Sequence, residues 1–281
     1  MKILLAGAFG HVGSAILKEL VDAGHNVVAC DIGKRSLEFD GYLARVIDFT
    51  NPKEVKGCCE DVDLVITNLA LLQASDLLTP EEVDYQSNKN LLDEAVRAGV
   101  KHFVYISEYK METAPQISLF AARLKFEGEL KESGIPYTIF RPVGFFFDMA
   151  HRFQTNVAVG KVMLHKSNTM CNVMDQRDFA KFVLEHMLDE NVTLDVGGKE
   201  DYSYFSMARI FFRAAGEKLC VSYTPKFIFN LIVKTSPSYG RGFLEYDRWS
   251  MTEDRVAPLH YGESSFEQYV YDLYGKEIEI C

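Results

Sequence analysis

Short apolar runs alternate with longer segments of helical periodicity along the first half of the chain. Six runs are rich in β-branched and other apolar residues, at positions 2–7, 26–31, 44–48, 63–68, 102–107 and 137–142. Between these runs apolar side chains recur every three or four residues, and three of the helical segments end at a glycine (Gly24, Gly99 and Gly134). The alternation predicts an α/β fold, a Rossmann-type doubly wound parallel sheet with helices on both faces.

The regular alternation stops after Pro142. The segment 144–153 places four phenylalanines within nine residues, a density typical of either core packing or a pocket lining. Helical patterns follow at about 176–188 and 203–215, with a short apolar run at 193–198 and an amphipathic ending. We therefore expect a sheet domain over residues 1–150. A small C-terminal α/β substrate lobe over 151–281 should close over the sheet edge without folding on its own.

The net charge of the chain limits the classes of partner that it can bind. The chain has 281 residues and a formal charge of −10, with 30 lysines and arginines against 40 aspartates and glutamates. A protein that binds nucleic acid needs a basic face, and the cations here are scattered along the sequence. We predict no nucleic-acid partner.

Cysteine spacing and hydropathy bear on metal binding and on location. The six cysteines form no C-x-x-C pair and show no zinc-ligand spacing with histidine, so they indicate reduced thiols and no metal site. Fifteen uncharged residues at 3–17 resemble a secretory signal, but they contain three glycines and are too short to span a bilayer. We predict a cytoplasmic protein with no membrane association.

A glycine motif follows the first apolar run directly. Gly7, Gly10 and Gly13 form a G-x-x-G-x-x-G turn that opens a helical segment. Such glycines permit the sharp turn, the approach of the backbone to a pyrophosphate and close packing of helix on strand. Backbone N–H groups and the positive end of the helix dipole then hold the phosphates. The motif predicts a dinucleotide site.

Acidic residues at the ends of the next runs bear on the choice of dinucleotide. Asp31 stands 18 residues after Gly13, where a carboxylate accepts hydrogen bonds from ribose hydroxyls and repels a 2′-phosphate. NAD(H) is therefore favoured. Lys34 and Arg35 follow closely and offer a 2′-phosphate site, which keeps NADP(H) as an alternative. Asp48 is suited either to the adenine amino group or to an N-terminal helix cap.

Longer phrases resemble a known superfamily. The segments 81–107 (EEVDYQSNKNLLDEAVRAGVKHFVYIS), 124–149 (LKFEGELKESGIPYTIFRPVGFFFDM) and 173–187 (VMDQRDFAKFVLEHM), with the glycine spacing, are similar to atypical short-chain dehydrogenases/reductases. The NmrA-like branch resembles the chain most, from residue 1 to about 225. The resemblance implies an NAD(P)-binding sheet whose strand ends carry the nicotinamide.

The resemblance also implies roles for individual residues. Phe9, Gly10, His11 and Val12 would wrap the pyrophosphate, and Asn68, Leu69 and Ala70 would pass along the adenosine. Ser107 would lie beside the nicotinamide and Lys125 would reach its ribose. Pro142, Gly144 and Phe145 would back the carboxamide, while Phe146, Phe147 and Met149 are candidates to line a substrate pocket or to pack the lobe.

The catalytic pattern departs from that of the superfamily. Its active members carry a Y-x-x-x-K pair, in which the tyrosine is the acid; here Lys125 is present, but Ala121 occupies the tyrosine position. Tyr109 stands where a catalytic serine or threonine is usual. Lys125 and Tyr109 are therefore the candidate proton donors. Lys125 is also placed for an i,i+4 surface pair with Glu129, and the pattern around Tyr109 equally fits a half-exposed loop tyrosine.

Three functions are compatible with this pattern. The first is an oxidoreductase that reduces a small-molecule carbonyl, quinone or activated double bond. The second is a non-enzymatic dinucleotide redox sensor of the NmrA type, which contacts a protein partner or forms a homodimer. The third is an NAD-dependent epimerase or dehydratase.

Overall fold

The computed structural model describes residues 1–33, 37, 39–71, 73, 75–164 and 168–275. Lys34 and Arg35, the candidate 2′-phosphate ligands, lie outside the described residues. The strands are β1 (Lys2–Ala6), β2 (Asn26–Asp31), β3 (Tyr42–Val46), β4 (Leu64–Thr67), β5 (His102–Ile106), β6 (Tyr137–Pro142), β7 (Val162–Leu164), β8 (Met170–Cys171), β9 (Val192–Gly197), β10 (Tyr202–Ser203), β11 (Val221–Tyr223) and β12 (Leu259–His260).

Helices connect most of these strands. They are α1 (His11–Asp22), α2 (Pro52–Val55), α3 (Asn88–Ala98), α4 (Ser118–Glu132), α5 (Phe146–Ala158), α6 (Gln176–His186), α7 (Tyr204–Ala215), α8 (Lys226–Thr235), α9 (Ser238–Thr252) and α10 (Phe266–Leu273). A π-helical segment, Glu81–Ser87, leads directly into α3, and a 3₁₀ turn covers Met111–Thr113. Over the described part of the chain, no helix is long and apolar enough to cross a membrane.

The central sheet confirms the predicted Rossmann-type fold. Eight strands lie in the order β12-β9-β6-β5-β4-β1-β2-β3, and the strands of the dinucleotide-binding half pair in parallel. Ala6, the last residue of β1, pairs with Cys30 of β2 and with Thr67 of β4. The strand order reverses at this point, since β2 lies on one side of β1 and β4 on the other. In such sheets ligands bind outside the carboxyl ends of the strands at the reversal.

The chain divides into two compact units. The first comprises Met1–Arg141 and Phe179–Leu194. Its core lies on β1, β4 and β5, where Leu4, Val65 and Phe103 are buried, and Phe126 of α4 packs edge-on against Tyr105 with ring centres 4.7 Å apart. Continuous apolar runs form these strands because helices cover both faces of the sheet.

The second unit comprises Pro142–Asp178 and the chain from Asp195 onward, so it begins at the end of β6. Aromatic side chains of α5, α7 and α10 form its core. Phe146 contacts Phe266 at a ring-centre distance of 5.4 Å, and Phe153 contacts Phe211 at 5.8 Å. The phenylalanine-rich segment is therefore mainly the N-terminal part of a helix whose apolar side is buried.

Candidate dinucleotide-binding site

The glycine motif forms the tight turn between β1 and α1. Gly7 has a φ of +75°, and a Cβ there would approach the carbonyl oxygen of Asn68 to 2.8 Å. A Cβ on Gly13 would overlap the carbonyl oxygen of Gly7. These two glycines are required by the turn itself and by the packing of helix on strand.

Gly10 is different, because the protein's own packing does not require a glycine there. Its φ of −74° and ψ of 172° suit any residue, and the nearest atom to a Cβ would be Gly7 O at 3.8 Å, an ordinary contact. Gly10 is the N-cap residue of α1 and leaves room at the helix N-terminus. Such a cradle fits the close approach of a pyrophosphate, which a side chain at this position would obstruct.

The first turn of α1 suits an anion. No acidic residue lies in this turn, and among the described residues no side chain caps the helix. His11 is exposed at the helix start, while Val12 is buried beneath it. The partial positive charge of the helix N-terminus therefore stays available to a phosphate.

Asp31 binds the glycine turn from the end of β2. Its Oδ2 accepts a hydrogen bond from the Phe9 N–H at 3.0 Å, and its Oδ1 accepts one from the Ile32 N–H at 2.8 Å. The carboxylate thus fixes the backbone that would wrap the pyrophosphate, and it carries a negative charge at the ribose position predicted from the sequence.

Asp48 forms a local turn and does not cap the following helix. Its Oδ1 accepts hydrogen bonds from the N–H and the hydroxyl of Thr50, at 2.9 and 2.6 Å. The cap of α2 is Asn51, whose side chain accepts from the Lys53 N–H at 3.1 Å. The helix-cap alternative for Asp48 was therefore wrong, because Asn51 stands directly before the helix. The adenine role of Asp48 stays a prediction.

Buried polar side chains support the backbone after β4. Asn88 donates to Leu69 O at 3.2 Å, and its amide oxygen accepts from the Thr67 hydroxyl at 2.6 Å. Asp84 accepts from the Leu71 N–H at 3.1 Å. The segment 68–71, which includes Ala70, is thereby fixed at the carboxyl end of β4, where the adenosine was predicted to pass.

Arg123 forms a buried ion-pair cluster that sequence reasoning missed. Its Nε donates to Asp84 Oδ1 at 2.8 Å, and its Nη1 donates to Glu108 Oε2 at 2.6 Å. The side chain of Asp84 is fully buried. Burial raises the pKa of Asp84, and the positive charge of Arg123 opposes that rise. The guanidinium is thus placed between two carboxylates beside the end of β5.

Ser107 directly follows β5 and belongs to a second buried cluster. Its hydroxyl donates to Glu127 Oε1 at 2.7 Å, and Arg141 binds the same carboxylate through two N–H groups at 2.9 and 2.5 Å. Burial by itself raises the pKa of Glu127, but the hydrogen bonds from Arg141 and Ser107 outweigh it and leave the pKa below its usual value. The Ser107 hydroxyl is therefore oriented by α4.

Lys125 lies on the exposed side of α4. Its Nζ donates to Glu81 Oε1 at 2.5 Å and stands 3.6 Å from the centre of the Tyr85 ring. The hydrogen bond that Lys125 donates to Glu81 is the main influence that raises the pKa of Lys125. The alternative of a surface pair with Glu129 was wrong, since Lys125 pairs with Glu81 and Glu129 accepts from the Tyr85 hydroxyl at 3.3 Å. The structure brings Lys125 to the π-helical segment, whereas Ser107 binds Glu127.

Tyr109, the other candidate acid, follows β5 in the turn after Glu108. It is half-buried, and the next residue, Lys110, has a φ of +67°. This left-handed residue turns the chain toward the 3₁₀ segment at Met111–Thr113. Tyr109 therefore lies two residues beyond Ser107, on the loop that leaves the carboxyl end of the sheet.

The predicted carboxamide-backing segment lies at the start of the second unit. Gly144 has a φ of +139°, and its carbonyl accepts from the Met174 N–H at 3.0 Å. The buried guanidinium of Arg255 donates to the carbonyl of Val143 at 2.7 Å. These bonds fix the backbone between Pro142 and Phe145.

The candidate substrate residues differ in exposure. Phe146 and Met149 are buried in the packing of this unit, at 1% and 6% exposure. Phe147 is partly exposed and stacks on Phe145, with ring centres 5.5 Å apart and planes 7° from parallel. Phe147 is thus the one of the three predicted substrate residues that offers an accessible aromatic face.

The described part of the chain contains no group of three or more His, Cys, Asp or Glu side chains that could hold a metal ion. The cysteines at 30, 58, 59, 171 and 220 are free thiols. Burial is the main influence that raises the pKa of the Cys30 thiol, to about 12.

Known proteins resemble the chain over most of its length. It is 26% identical to the photosystem II assembly factor Ycf39 of Trieres chinensis, over 98% of this chain and 86% of that protein. It is 28% identical to the chloroplastic divinyl chlorophyllide a 8-vinyl-reductase of Cucumis sativus, over 77% of this chain and 57% of that enzyme. The NADPH-dependent quinone oxidoreductase QOR2 of Escherichia coli, solved with NADPH, shares the fold with a TM-score of 0.76 at 16% identity, over 97% and 99% of the two chains.

A match to a family of sequences shows the family to which the chain belongs. The sequence profile of a family described as NAD(P)H-binding matches residues 7–190, a range that begins at the first glycine of the turn and extends beyond α6. The match includes Asp31, Ser107 and both ion-pair clusters. Together with the cradle at Gly10, it establishes that the chain belongs to the NAD(P)H-binding family.

Proposed function

We propose that this protein is an atypical short-chain dehydrogenase/reductase of the NmrA-like branch that uses NAD(P)H, with NADH preferred, to reduce a quinone or an activated double bond. One observation carries the proposal. The turn at Gly10 leaves a cradle for a dinucleotide, while the charged side chains next to the ends of β4 and β5 (Asp84, Glu108, Arg123 and Glu127) are already joined in internal ion pairs.

This pairing bears on the substrate class. The bound dinucleotide would supply a hydride, that is, a proton with two electrons. The dinucleotide itself would be oxidised in this step. Reduction of a simple ketone leaves a strongly basic alkoxide, which needs a positioned acid. Hydride transfer to a quinone leaves a hydroquinone anion, and transfer to an electron-poor double bond leaves an enolate. Both anions spread their charge and are weaker bases at oxygen than an alkoxide, so the hydride step depends less on a positioned acid. A simple carbonyl is therefore the least favoured of the three acceptors considered from the sequence.

The proposed roles follow from local geometry. Gly10, His11 and Val12 would bind the pyrophosphate at the helix N-terminus, and Asp31 would orient the ribose while it fixes Phe9. Ser107, oriented by Glu127, would lie beside the nicotinamide. Tyr109 is the side chain retained as a proton donor, and the exposed face of Phe147 suits a flat acceptor.

Turnover with a graded set of acceptors tests this proposal. The purified protein is first shown to bind NADH, and NADH oxidation is then followed with a benzoquinone, an enone, an aldehyde and a ketone. We expect turnover with the quinone or the enone and much slower turnover with the ketone. Tyr109→Phe should lower the enone rate more than the quinone rate if Tyr109 donates the proton. Binding of NADH without oxidation by any acceptor would overturn the proposal.

A second candidate function is a dinucleotide-dependent protein scaffold or sensor. The observation that favours it is the similarity to a relative named as an assembly factor, which extends over 98% of this chain. A sensor would bind a protein partner, or a second copy of itself, differently with NADH and with NAD⁺. Affinity capture in the presence of each nucleotide separates this function from a reductase. An epimerase or dehydratase would instead retain NAD through purification.

Location is a separate question. The cytoplasmic assignment rests on the sequence alone and stays a prediction, which cell fractionation would test. One of the relatives is named as a photosystem II assembly factor, and another is named as chloroplastic.

A further inference from the structure

Helix α8 presents an apolar surface to solvent. Phe227 and Leu231 are 74% and 61% exposed, and Ile228 and Ile232 are also exposed. Their spacing of one, four and five residues places all four side chains on one arc of the helix, roughly 140° wide at 100° per residue. Phe229, which lies outside this arc, is buried.

The sequence in and around this helix is basic. The segment 218–244 contains four lysines and arginines (Lys218, Lys226, Lys234 and Arg241) and no aspartate or glutamate, in a chain whose formal charge is −10. Lys218 and Lys234 are exposed. Arg241 donates to the carbonyls of Ser236 and Lys234, at 3.0 and 3.4 Å, and so holds its guanidinium beside the C-terminal end of α8.

The apolar surface continues from the arc into a cavity. A cavity of about 310 Å³ lies against α8, and its walls include Phe229 and Ile232 of the helix and Met163 of β7. Met163 is 56% exposed. Ile232 and Met163 therefore belong both to the outer surface and to the cavity wall, which also includes the ion pair of Arg152 and Asp247.

We propose that α8 binds flat on an anionic lipid surface. An apolar arc rich in Phe, Leu and Ile with cations at its borders is the arrangement of helices that lie in the membrane interface. Anionic headgroups would meet the cations, and the upper acyl chains would cover the arc. A second copy of the same segment would bring like charges together, and it offers no carboxylate to Lys218 or Lys234 within 218–244. The helix has ten residues, so it is about 15 Å long and cannot span a bilayer.

Sedimentation with lipid vesicles tests this proposal on the full chain. Vesicles of phosphatidylcholine alone are compared with vesicles that also contain phosphatidylglycerol. We expect binding to the anionic vesicles that weakens as salt is added, and little binding to the neutral ones. The double variant Phe227→Ser, Leu231→Ser should bind anionic vesicles at least roughly tenfold more weakly, because it removes the two most exposed apolar side chains of the arc. Leu188→Ser is the matched control, since Leu188 is an equally accessible leucine (53% exposed) in the other unit.

A charge variant keeps the test valid if the double variant is unstable. Lys218→Glu with Lys234→Glu leaves the apolar arc intact and should abolish the preference for anionic vesicles. Thermal unfolding and NADH binding are measured for every variant, to show that the fold is retained. The proposal is overturned if the wild-type chain binds no anionic vesicles. It is equally overturned if ultracentrifugation shows a dimer that the Phe227 and Leu231 changes dissociate, because the arc would then be covered by a second copy.

Discussion

The carbonyl oxygen of Gly7 occupies the place where a Cβ on Gly13 would stand. The contact joins the end of β1 to the first turn of α1, so it sets the distance between strand and helix at the dinucleotide site. Gly10 lies between the two and makes no comparable contact. The three glycines of one motif therefore have separable roles, two in the fold and one in the cradle.

Two alanine substitutions separate these roles. Gly13→Ala should lower the free energy of unfolding by about 1–3 kcal/mol, the usual cost of overpacking, and should weaken NADH binding as well. Gly10→Ala should leave the unfolding temperature unchanged but weaken NADH binding by roughly tenfold, because its methyl group enters the phosphate cradle. Thermal unfolding and NADH titration measure both. Unchanged NADH affinity in Gly10→Ala would mean that the pyrophosphate does not approach this residue.

Cofactor preference depends on the carboxylate of Asp31. Its negative charge should repel a 2′-phosphate, so we expect the wild-type chain to bind NADH more tightly than NADPH. Asp31→Asn keeps an oxygen for the Phe9 N–H while it removes the charge. This variant should bind NADPH more tightly, so the difference between its NADH and NADPH affinities should become smaller. Titration with both nucleotides checks the result, and a wild-type preference for NADPH would instead point to cations near the 2′ position.

Local patterns predicted the central strands well because both faces of these strands are buried. β2 and β6 have the bounds that the sequence predicts. β3 begins two residues earlier than predicted and also ends two residues earlier, at Val46. It lies at the sheet edge, where Leu43 and Val46 are exposed, so burial does not fix the apolar pattern there.

Local sequence patterns did not predict the two ion-pair clusters. Buried Leu119, Ala122 and Phe126 recur at the spacing of one helix face, and Arg123 lies on that same face. Lys125 lies off it. The periodicity of α4 thus indicates that Arg123 lies on the buried face of the helix. Its partners Asp84 and Glu108 come from distant segments of the chain, so no local pattern predicts these contacts. The prediction of no membrane association considered only segments long enough to span a bilayer. It did not address α8, because the exposure of a short helix depends on tertiary packing.

The pH dependence of stability should reveal Glu127. Its pKa in the folded protein is below the usual value, so the unfolded chain takes up a proton first as the pH falls. The stabilisation by Glu127 is therefore complete above its unfolded pKa of about 4.3 and is lost as the pH falls through the folded value. Glu127→Gln should destabilise the fold by about 3 kcal/mol at neutral pH, because Arg141 loses its buried partner. Denaturant unfolding from pH 3 to pH 8 should show the difference from wild type constant above about pH 5 and smaller below it.

Replacing Arg123 should give a variant whose stability rises as the pH falls, the opposite of the dependence that Glu127 contributes. Arg123→Met leaves the buried carboxylate of Asp84 without its cation, which should cost about 3–5 kcal/mol at neutral pH. The pKa of Asp84, already raised by burial, should rise further, so the folded variant takes up a proton at a higher pH than the unfolded chain does. The variant therefore regains stability as the pH falls.

Arg123→Lys is the control for this change, since it keeps the charge but places its hydrogen-bond donors on a single nitrogen. It should recover part of the stability and lose the pH dependence of Arg123→Met. A flat pH profile for Arg123→Met would show that Asp84 does not carry the uncompensated charge. Denaturant unfolding of the two variants side by side makes the comparison.

Lys125 gives the clearest test of how the site differs from the superfamily pattern. Because its ammonium group is bound by Glu81 and Tyr85 on the exposed side of α4, Lys125→Ala should change NADH affinity and turnover by less than about twofold, as expected for a surface pair. Glu81→Gln is the companion variant, since it releases the ammonium group without removing it. A lysine that reaches the ribose would behave differently in both: its loss would weaken NADH binding by tenfold or more, and its release from Glu81 would strengthen binding. Parallel NADH titrations of the two variants therefore decide whether this lysine serves the cofactor or holds the π-helical segment against α4.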